Sequence, residues 1–369
     1  MTRFRGLLCA ALGIALIAPP LAPSGAQPAA GTVDVTRATL PDGLQVVVLR
    51  DTLAPVVSTW MNYLAGADEE PITGTAHGQE HMMFRGSTTV SASQLSDTTA
   101  MTTGGNYNAD TQNEITRYFF EMPAQYLDIA LHLERSRASG ILDRQKDWDE
   151  ERGAITQEVT SDNSSAFYRL YQKTVDHVFA GTPYADIGLG TVASFKQLQA
   201  ADLKRFYDRW YHPNNAIYVI AGNVDPQQTI AKVRALYADL PAKPLPARKP
   251  VRLQPLTPLT LRDNSSDPFV AVFVAYRVPG YQSPDYFASE ILNDVLNSPR
   301  GALYELQASG KALDTYAQSQ TYPQSGLSLV GSVVPVTTAG DKAVDDVKTV
   351  IENYKKTGLP ADLVDVAKQ

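Results

Sequence analysis

Hydrophobic positions along this chain first alternate with polar ones in short runs and then recur at helical spacing, an order that predicts a mixture of strands and helices. Residues 45–49 (Gln-Val-Val-Val-Leu) follow the Pro41-Asp42-Gly43 turn as a β-branched run, and 56–64 form a second such run. Both are expected to be strands. Gly66 to Gly74 reads as a loop leading to a short helix, with Thr75 placed to cap it and Gly86 to end it. Ser91-Ala92-Ser93-Gln94 has capping-box spacing for a helix that stops at Gly104-Gly105. The stretch from Asn106 to Thr111 reads, by its own residues, as a turn, and Ile115 to Phe120 as a strand.

Leu127, Ile129, Ala130 and Leu133 lie at helical spacing within 124–138, so this segment is expected to be an amphipathic helix with Glu134, Arg135 and Arg137 outside and His132 structural. Further helices are expected over 147–159, 166–179 and 203–211. His212-Pro213-Asn214-Asn215 is a turn, a poor setting for a ligand. Ala216 to Gly222 is a buried-type strand, and Asp225-Pro226 opens another helix by cap and first-turn proline. Six prolines between 241 and 258 predict a stiff, extended linker. After it, 268–276 parallels the strand at 55–64, and 286–296 is a helix in the place of the one at 75 but without histidine. Two strands around Tyr322 to Gly326 and a helix over 342–354 follow. The sequence stops at 363–369 inside an apparent helix, which reads as a fragment of a longer protein.

The pattern therefore predicts an α+β protein of two homologous domains, each an antiparallel-rich mixed sheet covered by helices. The first is expected over 35–240, the linker over 241–258, and a second, truncated domain over 259–369. Length and composition agree: 369 residues suit two domains, and 44% apolar with 19% charged residues is the balance of a folded chain. With 32 basic against 39 acidic residues, nucleic acid and anionic membrane are disfavoured as main partners. Arg3 and Arg5 precede an apolar run to Ala22, broken by Pro19-Pro20 and followed by Ser24-Gly25-Ala26. This is the layout of a secretory signal peptide over 1–26, too short and broken for a stable membrane anchor. Its removal takes away Cys9, the sole cysteine. An exported chain without disulfides fits a bacterial periplasm.

One motif carries chemistry. In His77-Gly78-Gln79-Glu80-His81, residues four apart on a helix lie only ~40° apart in projection, so the two imidazoles turn to one point. Glu80 sits near the same face, where a general base acting on a water at the metal belongs; the order is the inverse of H-E-x-x-H. Most histidine pairs at this spacing are packing or surface residues. Here two of only five histidines fall into the pattern with the Glu in place, which favours the metal. A third ligand is needed. Glu151 and Glu158, seven residues apart, share one helix edge, and either can supply it. Two His and one Glu plus water is the open, catalytic arrangement of zinc, whereas closed structural sites are rich in Cys.

Taken in order, Gly-x-Ala-His77-x-x-Glu80-His81-Met-x-Phe-x-Gly, Gly104-Gly105-x-x-Asn108-Ala109, Glu151-Arg-x-x-Ile-x-x-Glu158 and Tyr211-x-Pro213-x-Asn215 make the chain resemble the pitrilysin, insulin-degrading enzyme and mitochondrial processing peptidase family, the inverzincins, over 35–369. The resemblance implies one Zn²⁺ per chain held by His77, His81 and Glu158, with Glu80 and Glu151 as base and supporting acid. It also implies that the Asn108-Ala109 segment is a sheet edge that takes the substrate peptide as an added strand. The implied function is zinc-dependent endopeptidase cleavage of peptides or unfolded polypeptide. A non-catalytic binding or assembly subunit is the competing class, disfavoured because all four central residues are kept. Two departures stand out: Gly78-Gln79 replaces apolar residues between His and Glu, and Gln307 and Asp314 stand where the family has a substrate-binding Arg and Tyr. A second peptidase-like half, from a C-terminal region or another subunit, is expected to supply that pair.

Overall fold

The computed structural model describes residues 34–104 and 106–369; the expected signal peptide, Cys9 and Gly105 lie outside the described residues. The elements run β1 (Asp34–Thr39), β2 (Gln45–Arg50), β3 (Val56–Tyr63), α1 (Thr75–Met82), α2 (Ala92–Thr103), β4 (Tyr107–Thr111), β5 (Thr116–Pro123), α3 (Leu127–Ser139), α4 (Gln145–Ser164) and α5 (Ala166–Val178). There follow α6 (Val192–Gln197), α7 (Ala200–Trp210), β6 (Ala216–Gly222), α8 (Pro226–Tyr237), β7 (Phe269–Pro279), α9 (Tyr286–Asn297), α10 (Tyr304–Ala308), β8 (Asp314–Thr321), β9 (Ser325–Pro335), α11 (Gly340–Thr357) and α12 (Ala361–Ala367). The class is α+β, as the pattern predicts. Contacts gather the described residues into two compact units, one of those from 34 to 161 with 186–250, the other of 162–185 with 251–369.

The first unit is built on a six-stranded sheet in the order β1-β2-β6-β3-β5-β4. Only β2 and β6 pair in parallel, so the sheet is mixed and antiparallel-rich. Alternate residues of the strands (Val46, Val48, Met61, Tyr118, Phe120, Tyr218, Ile220) enter one core, which Leu131 of α3, Trp210 of α7 and Val233 of α8 close from the helix side. This is the period-2 against period-3.6 pattern put to use: one apolar face of each element meets the other.

Three expectations are corrected in this unit. β1, not anticipated from its polar sequence, pairs along its whole length with β2, Asp34 opposite Arg50 through Thr39 opposite Gln45, and so covers that strand's open edge. The stretch whose own residues read as a turn is edge strand β4, the sheet edge that the family resemblance implied, with Asn108 opposite Phe119 and Ala109 opposite Tyr118. Pairing against β5 outweighs the local turn preference of Asn and Asp. In α3, Glu134 and Arg137 are buried, not outside. They neutralise each other at 2.9 Å, and the Arg137 guanidinium lies over the rings of Phe84, Tyr118 and Phe120, which makes an interior position tolerable. Arg135 alone reaches the rim, where it binds Asp239.

The second unit holds the three-stranded antiparallel sheet β7-β9-β8, with Val272, Leu296, Leu303, Val330 and Val347 among its core residues. β7 followed by α9 repeats the order of β3 followed by α1, without the histidines. Residues 162–185 cluster here although they precede the proline-rich stretch. The cause is aromatic: Phe167 meets Phe273 edge-on at 5.9 Å, and Tyr184 stacks on Tyr322 at 4.4 Å. Arg169 adds an ion pair to Asp263 at 3.1 Å.

Candidate metal centre

α1 begins differently from what its sequence predicts. The cap position is Gly74, at φ 87, and Thr75 is the first helical residue, its hydroxyl donating to the Ile72 carbonyl. The capping acceptor comes from a residue further back: Glu70 Oε1 accepts the Gly74 N–H at 2.8 Å and Oε2 the Ala76 N–H at 2.9 Å. A carboxylate there satisfies orphan donors of the first turn and faces the positive end of the helix dipole. Burial nonetheless drives the Glu70 carboxyl well above its ordinary range, and nearby Asp186 adds to the effect. The helix ends at Met82, and Gly86, at φ 93, belongs to the turn beyond it.

The two histidines come together as their spacing requires. Their Nε2 atoms lie 3.2 Å apart, and Glu158 Oε2 from α4 lies 3.8 Å from that of His77 and 3.6 Å from that of His81. Each Nδ1 faces an oxygen that only accepts, so the tautomers follow. His77 donates from Nδ1 to the Leu189 carbonyl at 2.9 Å, and His81 donates to Glu151 Oε1 at 2.8 Å. Each Nε2 is then the unprotonated nitrogen, on the side of Glu158. Ligands around a tetrahedral ion with bonds of about 2.0–2.2 Å sit about 3.3–3.6 Å apart, so two neutral imidazoles and a carboxylate at these separations fit zinc. Among the described residues no other group of three His, Cys, Asp or Glu side chains converges in this way.

Glu151 and Glu158 do share one edge of α4, and the structure separates their positions. Glu158 meets the Nε2 side of the histidines; Glu151 stands behind His81, where its Oε2 also accepts from Arg85 Nε at 2.5 Å. Burial raises the Glu151 carboxyl, but the hydrogen bonds from His81 and Arg85 and the Arg85 charge together win and hold it below its ordinary value. Glu80 is buried on α1, and Thr111 at the end of β4 donates to its Oε2 at 2.5 Å. Asn108 and Ala109 lie on that same strand, Asn108 half-buried and Ala109 buried. Of the remaining histidines, His212 binds the Asp208 carbonyl and His132 the Asp128 carbonyl, away from this cluster.

Arg85, Leu189 and Thr111 were not singled out in the sequence. Thr111 had a usable signal, since it lies two residues beyond Ala109 and therefore on the same face of any strand. Leu189 had none, because it contributes only a backbone carbonyl.

Comparison with known proteins follows the same lines. The family description "Insulinase (Peptidase family M16)" matches residues 45–185, and "Peptidase M16 inactive domain" matches 197–369. An uncharacterized zinc protease of Streptomyces coelicolor is 32% identical over 232 residues, which is 60% of this chain and 48% of that protein. The chain thus spans about half the length of this curated relative. A protease crystal structure from Helicobacter pylori superposes with a TM-score of 0.82 at 21% identity, covering 91% of this chain and 83% of that one. The first half of the periplasmic protease PqqL of Escherichia coli superposes with a TM-score of 0.74 at 21% identity, covering 90% and 75%. At such identities the superpositions speak for the fold; the two sequence matches, adjoining and in order, go further, and this chain belongs to peptidase family M16, the inverzincins.

Proposed function

We propose that this chain is the catalytic half of a zinc-dependent endopeptidase that cleaves peptides or unfolded polypeptide segments, with one Zn²⁺ held by His77, His81 and Glu158. The observation that carries the reading is the convergence of His77 Nε2, His81 Nε2 and Glu158 Oε2, with a carboxylate, Glu80, buried on the same helix as the histidines. When bound, zinc supplies Lewis acidity that lowers the pKa of a water and polarises the scissile carbonyl. Glu80 takes the proton from the attacking water and passes it to the leaving amine nitrogen. Glu151 is the supporting acid that fixes the tautomer and direction of His81. Asn108 and Ala109, on edge strand β4, receive the substrate as an added strand, main chain to main chain.

On this reading residues 35–240 form the peptidase domain and 259–369 a related domain without a metal site, joined by the stretch 241–258. A second peptidase-like half supplies the Arg and Tyr that Gln307 and Asp314 replace here; the likeness to one half of PqqL supports it. The order of charged, apolar and small residues over 1–26 supports export to a periplasm. Among the described residues no helix is long and apolar enough to cross a membrane.

Glu80→Gln tests the assignment. In the chain assembled with its second half, the variant is expected to keep its zinc while peptide hydrolysis falls by about 10²–10⁴-fold. Hydrolysis at the wild-type rate, or a wild-type protein that takes up no zinc, refutes the enzyme and leaves the non-catalytic subunit. Full activity of this chain by itself would remove the need for a second half.

A further inference from the structure

The edge strand β4 and the carboxylate of Glu80 are tied to each other by one side chain. Thr111 is the last residue of β4, and alternation along the strand places it on the same face as Ala109, turned toward α1. Its hydroxyl donates to Glu80 Oε2 at 2.5 Å, and both residues are buried, each 5% exposed. A buried carboxylate needs donors to hold it, and one that must present an oxygen to a reacting group needs the other oxygen fixed. The strand end itself is anchored. Thr111 pairs with Thr116 across the β4–β5 connection, Gln112 N–H donates to the Ile115 carbonyl, and the Gln112 and Asn113 carbonyls accept the N–H groups of Ala67 and Asp68. The hydroxyl is therefore delivered by a braced piece of backbone, not by a free loop.

We propose that Thr111 is a positioning residue that holds the Glu80 carboxylate in its working orientation and couples it to the strand on which Asn108 and Ala109 lie. The proposal rests on Glu80 being the general base. Thr111 touches neither substrate nor metal; it acts through Glu80. Because donor and substrate-receiving residues belong to one five-residue strand, a peptide added to β4 and the base that serves it share a single rigid frame.

The test uses Thr111→Val, which keeps the shape and removes the donor, and Thr111→Ser, which keeps the donor. In crystal structures of the metal-free proteins, Glu80 is expected to leave its position in Thr111→Val and to keep it in Thr111→Ser. In the assembled enzyme, Thr111→Val is expected to lower kcat 10- to 100-fold with KM and zinc content within twofold of wild type, and Thr111→Ser to recover kcat to within about threefold. If Thr111→Val does not fold, Thr111→Cys, nearly isosteric and a weaker donor, is expected to show the same split at smaller size. A Glu80 that stays in place without the hydroxyl overturns the proposal. Equal loss of kcat in the Ser and Val variants does so too, because it assigns the effect to packing. Loss of the Glu80 orientation in a protein whose wild type hydrolyses nothing would instead remove the peptidase reading and leave the positioning contact standing.

Discussion

The two imidazoles of the candidate metal centre are each held from behind, one by the backbone carbonyl of Leu189 and the other by the carboxylate of Glu151, and the difference matters. A carbonyl cannot be mutated away, but Glu151 can. Glu151→Gln keeps an acceptor and loses the charge that Arg85 and His81 share. Zinc affinity is expected to fall about 10–100-fold, measured by competition with a chelator. A second residue-scale prediction concerns Asp143, a non-glycine residue at φ 40 whose buried carboxyl is pushed up to about 7 by desolvation. The proton is bound more tightly in the folded state, so the stability it contributes is complete below about pH 4 and lost as pH rises toward 7. Asp143→Asn suits the same backbone and offers an N–H to Gln79 Oε1, which is buried without a partner. The variant should equal wild type near pH 4 and exceed it by about 1–3 kcal/mol at pH 8 in thermal unfolding at fixed metal content. Nothing in the sequence near Asp143 announced this, because the cost of burial is set by residues distant along the chain.

At the scale of elements, α1 shows how packing overrides propensity. Read by itself, Gly78 weakens the helix, and alanine there should stabilise it by up to about 1 kcal/mol. In the fold a Cβ at Gly78 would lie 3.1 Å from Leu203 Cδ2 and 3.1 Å from Trp148 Cη2, tighter than ordinary contact. Gly78→Ala is therefore expected to destabilise by about 1 kcal/mol, with the sign read from chemical denaturation. The departure from an apolar residue between His77 and Glu80 is thus an accommodation to α4 and α7, on which Trp148 and Leu203 lie. The same helix shows what was legible and what was not. The face shared by His77 and His81 followed from spacing alone. The cap did not: Glu70 lies four residues before Gly74, and only the folded loop carries its carboxylate to the helix N-terminus. Strand β4 is hidden from a purely local reading for a related reason, since Asn and Asp favour turns locally and only a partner strand, or the family resemblance that implied a sheet edge here, reveals the alternative.

At the scale of the molecule, the chain passes from one unit to the other at 250/251, inside the proline-rich stretch, but also at 161/162 and 185/186. Residues 162–185 belong with 251–369, and Phe179 and Tyr184 are fully buried there against Tyr322. A truncation ending at Pro250 strips these rings of that partner. It is expected to unfold with a lower Tm and to aggregate or bind a hydrophobic dye, whereas the 369-residue chain does not, as scattering and dye fluorescence would show. The sequence by itself determined the α+β class, most of the elements and the histidine pair, because these depend on periodicity and spacing within one stretch of chain. It brought the candidate for a third metal ligand down to two glutamates on one helix edge, and the family resemblance favoured Glu158, the one that converges with the two histidines. Tertiary structure alone decided which units the segments join, that Glu134 and Arg137 lie inside, and that Leu189, Arg85 and Thr111 stand behind His77, Glu151 and Glu80. Those contacts join residues 31 to 112 positions apart, and no local pattern encodes where a distant backbone or side chain will arrive.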